Sequence, residues 1–75
     1  MYINDSQSAV LGVIREFGPL PDVALVPLAQ HFADVHQSSS GIRTRRSELA
    51  QAGVVKQVDT IVLPSGRSAA VWDVA

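Results

Sequence analysis

The sequence predicts an α+β domain of three helices followed by a β-hairpin. Three observations carry that prediction. Apolar residues recur at helical spacing up to Gly53, valine-rich strand-like runs follow it, and Gly, Pro or Ser marks each junction. Seventy-five residues make a single domain, residues 1–75, with no room for a second. At that size only about 60% of the extended surface is buried on folding, so the core is thin and every aliphatic residue in it matters. A composition of 47% hydrophobic and 17% charged residues belongs to a folding chain rather than a disordered one.

The first helix is expected at about 6–17. Asp5 or Ser6 caps it, and Val10, Val13, Ile14 and Phe17 recur on one face with Ala9 alongside, leaving Arg15 and Glu16 to water. Gly18-Pro19 ends it, because glycine accepts a left-handed position and proline cannot continue the ladder.

A second helix is expected at about 22–35, with Asp22 as its cap and Val26, Leu28, Ala29, Phe32 and Val35 facing inward. Pro27 interrupts it, removing a backbone bond and crowding the preceding turn. Either a short turn covers 22–26 and the main helix opens at Pro27, or one helix carries a kink. The first arrangement is preferred, since proline is well tolerated at a first helical position. His36-Gln37-Ser38-Ser39 reads as a polar turn.

The third helix, about 40–52, holds the chemistry. Ser39 or Ser40 caps it and Gly53 closes it. Ile42 and Leu49 fall on one stripe, flanked by Arg45, Arg46 and Ala52. Ser40, Arg43, Thr44, Ser47 and Gln51 cluster on the other side, which carries no large apolar group. Hydroxyl, amide and guanidinium groups on such a face suit base edges and phosphates. The stems of Arg45 and Arg46 cover core edges while their heads reach water or pair with Glu48 or Glu16.

After Gly53 the spacing becomes that of strands. Val54, Val55, Val58 and Ile61-Val62-Leu63 precede a Pro64-Ser65-Gly66 tip, and Ala69-Ala70-Val71-Trp72-Asp73-Val74 returns, giving a hairpin at about 54–74. Lys56 to Thr60 either break the first strand or form a bulge. The hairpin is expected to close over the helices with Trp72 as its plug. A lone hairpin is marginal in water, so it packs on the helices or recruits a short third strand. Three helices and then a hairpin, with a short turn before an arginine-bearing third helix, is the order of a winged helix-turn-helix. Seven valines and isoleucines after Gly53 argue against a fourth helix in a plain bundle.

Charge is distributed unevenly. Residues 1–37 carry Arg15 against Asp5, Glu16, Asp22 and Asp34, while residues 38–75 carry Arg43, Arg45, Arg46, Lys56 and Arg67 against Glu48, Asp59 and Asp73. Local potential steers a polyanion more than the net charge of −1 does. No catalytic chemistry is expected. Without cysteine there is no disulfide, thiolate metal site or thiol nucleophile, and His31 and His36 are spaced too far round a helix to form a strong metal pair. Neither SGIRT nor PSGRS has the strand-turn-helix context of a nucleophilic serine, and PSGRS is no phosphate loop. Neither a cofactor nor a metal is therefore expected. The longest nearly uncharged stretch, 18–30, is too short and too proline-rich to span a bilayer, and MYINDSQS lacks the regions of a secretory signal, so a cytoplasmic location without a membrane partner is expected.

The run SSSGIRTRRSELAQAGVV, followed by LPSGRSAAVWDV, resembles small winged helix-turn-helix DNA-binding proteins of actinobacterial phages and prophages. The likeness covers about residues 8–74. It implies that Ser40 to Gln51 is a recognition helix with Arg43, Thr44 and Ser47 toward the major groove. It also implies that Ser65-Gly66-Arg67 is a wing tip, with Arg67 at a phosphate or the minor groove. LPDVALVPLAQHF departs from the pattern, since Pro27 stands where the second helix is usually unbroken. The expected function is double-stranded DNA binding in transcription regulation, with Ser40, Arg43, Thr44, Arg45, Arg46, Ser47, Gln51 and Arg67 as contact residues. A homodimer is expected, through helix 1 or the C-terminal strand, because one such module buries too little area for tight specific binding. The alternatives are a protein partner docked by the same fold, and an architectural or recombination-accessory role on DNA.

Overall fold

A computed structural model describes residues 3–32 and 38–75. In chain order the elements are α1 (Asp5–Phe17), β1 (Leu20–Pro21), α2 (Asp22–Phe32), α3 (Ser39–Gln51), β2 (Val55–Val62) and β3 (Ser68–Val74). The strands form one antiparallel sheet in the order β1-β3-β2, a winged-helix-type arrangement. The expected placements of the Phe32 side chain, Val35, His36 and Gln37 fall outside what is described.

α1 begins one residue earlier than expected because its cap is Asn4 rather than Asp5 or Ser6. Asn4 Oδ1 accepts from the Gln7 amide at 2.8 Å, and Gln7 Oε1 accepts from the Asn4 amide at 3.1 Å. This reciprocal capping box satisfies two amides that the helix leaves open. Val10, Leu11, Val13 and Ile14 are buried, but Phe17, at the last residue of the helix, lies past the core and is 43% exposed. Gly18 is extended rather than left-handed. Its amide donates to the Ile14 carbonyl at 2.7 Å, and a Cβ there would run into that same oxygen. Glycine is needed for close approach, not for a positive φ. The peptide bond to Pro19 is cis.

α2 opens directly at Asp22, the first helical residue rather than a cap, and runs on through Pro27. The preferred division at Pro27 is therefore corrected. Val23 and Pro27, four residues apart, are both exposed, so the carbonyl that proline leaves without a donor faces water instead of the core. Leu25, Val26 and Ala29 are buried and Leu28 is half-buried, so the inward face gains Leu25.

α3 is capped by Ser38, whose Oγ accepts from the Gly41 amide at 3.2 Å, in place of Ser39 or Ser40. It ends in a Schellman closure. Gly53, at φ +76°, donates to the Ala50 carbonyl at 3.1 Å, and Val54 donates to that of Leu49 at 2.9 Å. Ile42 and Leu49 are fully buried, each contributing about 1.5–3 kcal/mol of transfer free energy.

β1 is the short third strand, with Leu20 opposite Trp72 and Pro21 opposite Val71. In the hairpin, Gln57 faces Trp72 and Asp59 faces Val71, leaving Val58 as the extra residue of a bulge. At the tip, Leu63 donates to the Arg67 carbonyl and Gly66 to that of Leu63, with Gly66 at φ +88°. Closure over the helices holds only in part. β3 buries Val71 and packs Trp72 and Val74 against the core, but β2 buries Val55 alone and its other seven residues are exposed. The hairpin is longer than the core beneath it and extends as a wing, drawing the molecule out to 35 Å against 24 and 20 Å. Among the described residues, no helix is long and apolar enough to cross a membrane.

Candidate nucleic-acid interface

The outward face of α3 is set by the burial of Ile42 and Leu49. Anchoring those two side chains turns Ser40, Arg43, Thr44 and Gln51 into solvent, with Ser47 half-exposed beside them. Thr44 Oγ1 donates to the Ser40 carbonyl at 2.8 Å. With its proton committed to the helix, that hydroxyl presents lone pairs outward as an acceptor. Ser40 Oγ lies 3.1 Å from Ser38 Oγ, at the end of the helix where backbone amides point outward. Arg43 makes no ion pair or hydrogen bond through its side chain among the described residues, so its five donors stand free.

The three arginines of α3 divide by role. Arg45 Nε sits 2.6 Å from Glu48 Oε1 without the alignment of a hydrogen bond, and Gln7 Nε2 donates to the same oxygen at 3.1 Å. The pair offsets the Arg45 charge and ties α3 to the capping box of α1. Arg46 grips Asp22 bidentately, Nε to Oδ1 at 2.9 Å and Nη2 to Oδ2 at 2.8 Å, and its guanidinium lies 4.2 Å from the centroid of the Trp72 ring. Its side chain is only 16% exposed. One guanidinium thus joins the start of α2, the middle of α3 and the central strand. Asp22 also carries negative charge in the first turn of α2, where the helix dipole favours it.

Arg67 stands exposed at the tip of the wing. Its carbonyl accepts from Leu63, and its amide lies 3.4 Å from Ser65 Oγ. Lys56 is exposed on β2 opposite Asp73. Between α3 and the wing runs a groove of about 310 Å³, lined by Asp22, Val23, Arg43, Arg46, Leu63, Ala69, Ala70 and Trp72. Arg43 is at its helical side and the base of the wing tip at the other.

Of the expected contact residues, the structure gathers Ser40, Arg43, Thr44, Ser47 and Gln51 on one face, pairs Arg46 with Asp22 and Arg45 with the more exposed Glu48, and sets Arg67 apart on the wing. Sequence reading missed the Asp22–Arg46–Trp72 junction. Its members are separated by 24 and 26 positions, and no local spacing connects them. Among the described residues, no group of three or more His, Asp or Glu side chains is placed to hold a metal. Comparison of the chain with protein-family models, with curated proteins and with solved structures found no match.

Proposed function

We propose that this protein binds double-stranded DNA as a small transcriptional regulator, without catalysis, in the cytoplasm of the cell that makes it. We also propose that it belongs with the winged helix-turn-helix proteins of actinobacterial phages and prophages that it resembles. The observation that carries the reading is the outward face of α3, where Arg43, with no ion pair among the described residues, shares a solvent-facing surface with Ser40, Thr44, Ser47 and Gln51 and with no large apolar residue of the same helix. In this reading α3 enters the major groove, Arg43 reads a base edge or holds a phosphate, and Arg67 anchors the wing on the backbone. Arg45 and Arg46 orient α3 and contribute little direct contact.

Few free cations mean a small electrostatic footprint. Two or three phosphate contacts give a log–log salt slope of about −2 to −3, a loss of roughly 10- to 25-fold between about 50 and 150 mM salt. The test is selection from a pool of random short duplexes at those two salt concentrations, with the bound fraction sequenced. An enriched motif with that salt dependence supports the reading, and a palindromic motif adds the homodimer. No enrichment and no binding at the lower salt overturns it. A second reading, docking onto a protein partner, is favoured by Val58, Ile61 and Val62, which are 43, 36 and 73% exposed on the wing.

A further inference from the structure

We propose that the groove between α3 and the wing is a binding site for a small single-ring carboxylate, and that this ligand competes with DNA for Arg43. The site stands on the groove itself, and only its regulatory consequence rests on the DNA-binding reading.

Val23, Leu63, Ala69, Ala70 and Trp72 give the groove apolar walls. Its charged members do not cancel. Asp22 and Arg46 are locked to each other by two hydrogen bonds, which leaves Arg43 as one unpaired cation at the lip. One net positive charge beside an apolar trough complements a monoanion with an apolar body. A guanidinium also takes a carboxylate in a two-point grip. A phosphate dianion fits less well, because the second cation it requires is already committed to Asp22. The volume of about 310 Å³ lies at the lower end of the roughly 300–1,000 Å³ typical of small-molecule sites, which favours a body of one ring. Arg43 belongs both to this groove and to the outward face of α3, so an occupied groove withdraws it from DNA.

Trp72 is the only tryptophan in the chain and lines the groove, so its fluorescence reports occupancy directly. The probes are phenylacetate, its neutral counterpart 2-phenylethanol, and acetate, which carries the charge without the ring. Expected is a saturable change with phenylacetate, at least tenfold weaker with either of the others and absent in Arg43→Gln. An equal response to 2-phenylethanol, a response that survives in Arg43→Gln, or none to phenylacetate overturns the site. Ala70→Leu, which fills the trough away from the outward face of α3, is expected to abolish the phenylacetate response while DNA affinity stays within about twofold. Should that variant fail to fold, the three-probe comparison on the native chain decides. Anisotropy of a labelled duplex completes the test, with phenylacetate expected to displace it from the native protein. DNA binding indifferent to saturating phenylacetate overturns the competition, whereas a groove that fills in a protein that binds no DNA overturns the regulator reading alone.

Discussion

Arg43 and Arg46 are three residues apart on one helix and line one groove, yet Arg46 is clasped by Asp22 while Arg43 is unpaired among the described residues, and they call for opposite tests. Arg43→Ala is expected to weaken DNA binding at least tenfold, in line with the roughly 1–3 kcal/mol carried by a good guanidinium–base contact, while the thermal midpoint stays within a few degrees. Fluorescence anisotropy and a melting curve on the same sample check both halves. Arg46→Ala is expected to lower stability by about 1–3 kcal/mol, because it strips Asp22 of a bidentate partner and uncovers Trp72. Arg46→Lys is expected to recover little, since an ammonium offers a point charge where the site uses a planar fork. Urea unfolding of the two variants measures the difference. The outward set on α3 was legible because a single helical period decides which residues share a face. The partner of Arg46 was not, because only the tertiary fold brings position 22 beside position 46.

Among the elements, α2 shows where local rules yield to context. A proline inside a helix argues for a break, but Pro27 sits on the exposed side, where the carbonyl it leaves without a helical donor is open to solvation. Pro27→Ala is expected to stabilise the protein by about 1–3 kcal/mol, restoring a backbone bond without touching the core. For a domain of this size that is a rise of roughly 4–8 °C in Tm per kcal/mol. An unchanged or lower midpoint would mean that α2 needs its proline for another reason. Gly53→Ala is expected to destabilise by about 1 kcal/mol, because the Schellman closure holds position 53 at φ +76°. The glycine stop of α3 was readable from sequence, as were the helix existence and order. β1 was not located, since two residues, one of them proline, give no alternation to detect. The true caps were missed because Asn4 and Ser38 each stand beside other residues equally able to cap.

At the scale of the molecule, the helices and β3 enclose the core while most of β2 projects from it. The sequence showed valine density in the hairpin but not which valines the helices reach, because strand alternation was broken by the bulge at Val58. β1 covers β3 only at Val71 and Trp72, and Val10, Val13 and Ile14 of α1 are buried in the core. Surface substitution on the projecting strand offers a clean control. Val62→Lys, at a position 73% exposed, is expected to leave stability within about 0.5 kcal/mol. It is also expected to raise DNA affinity modestly at low salt by adding a cation near Arg67. Calorimetry and anisotropy read the two effects, and a large loss of stability would show that the Val62 side chain is packed in solution, within the wing or against a second copy of the chain.

The seclusion of the Arg46–Asp22 clasp, with side chains only 16 and 23% exposed, sets two very different sensitivities to electrolyte within a single helix. Mobile ions crowd readily around an open guanidinium and its phosphate, but they reach poorly into a pair shielded by an indole ring. On the proposed DNA-binding reading, brine is therefore expected to strip the protein from a duplex while leaving its architecture undisturbed, so that loading and unloading can be cycled repeatedly without refolding.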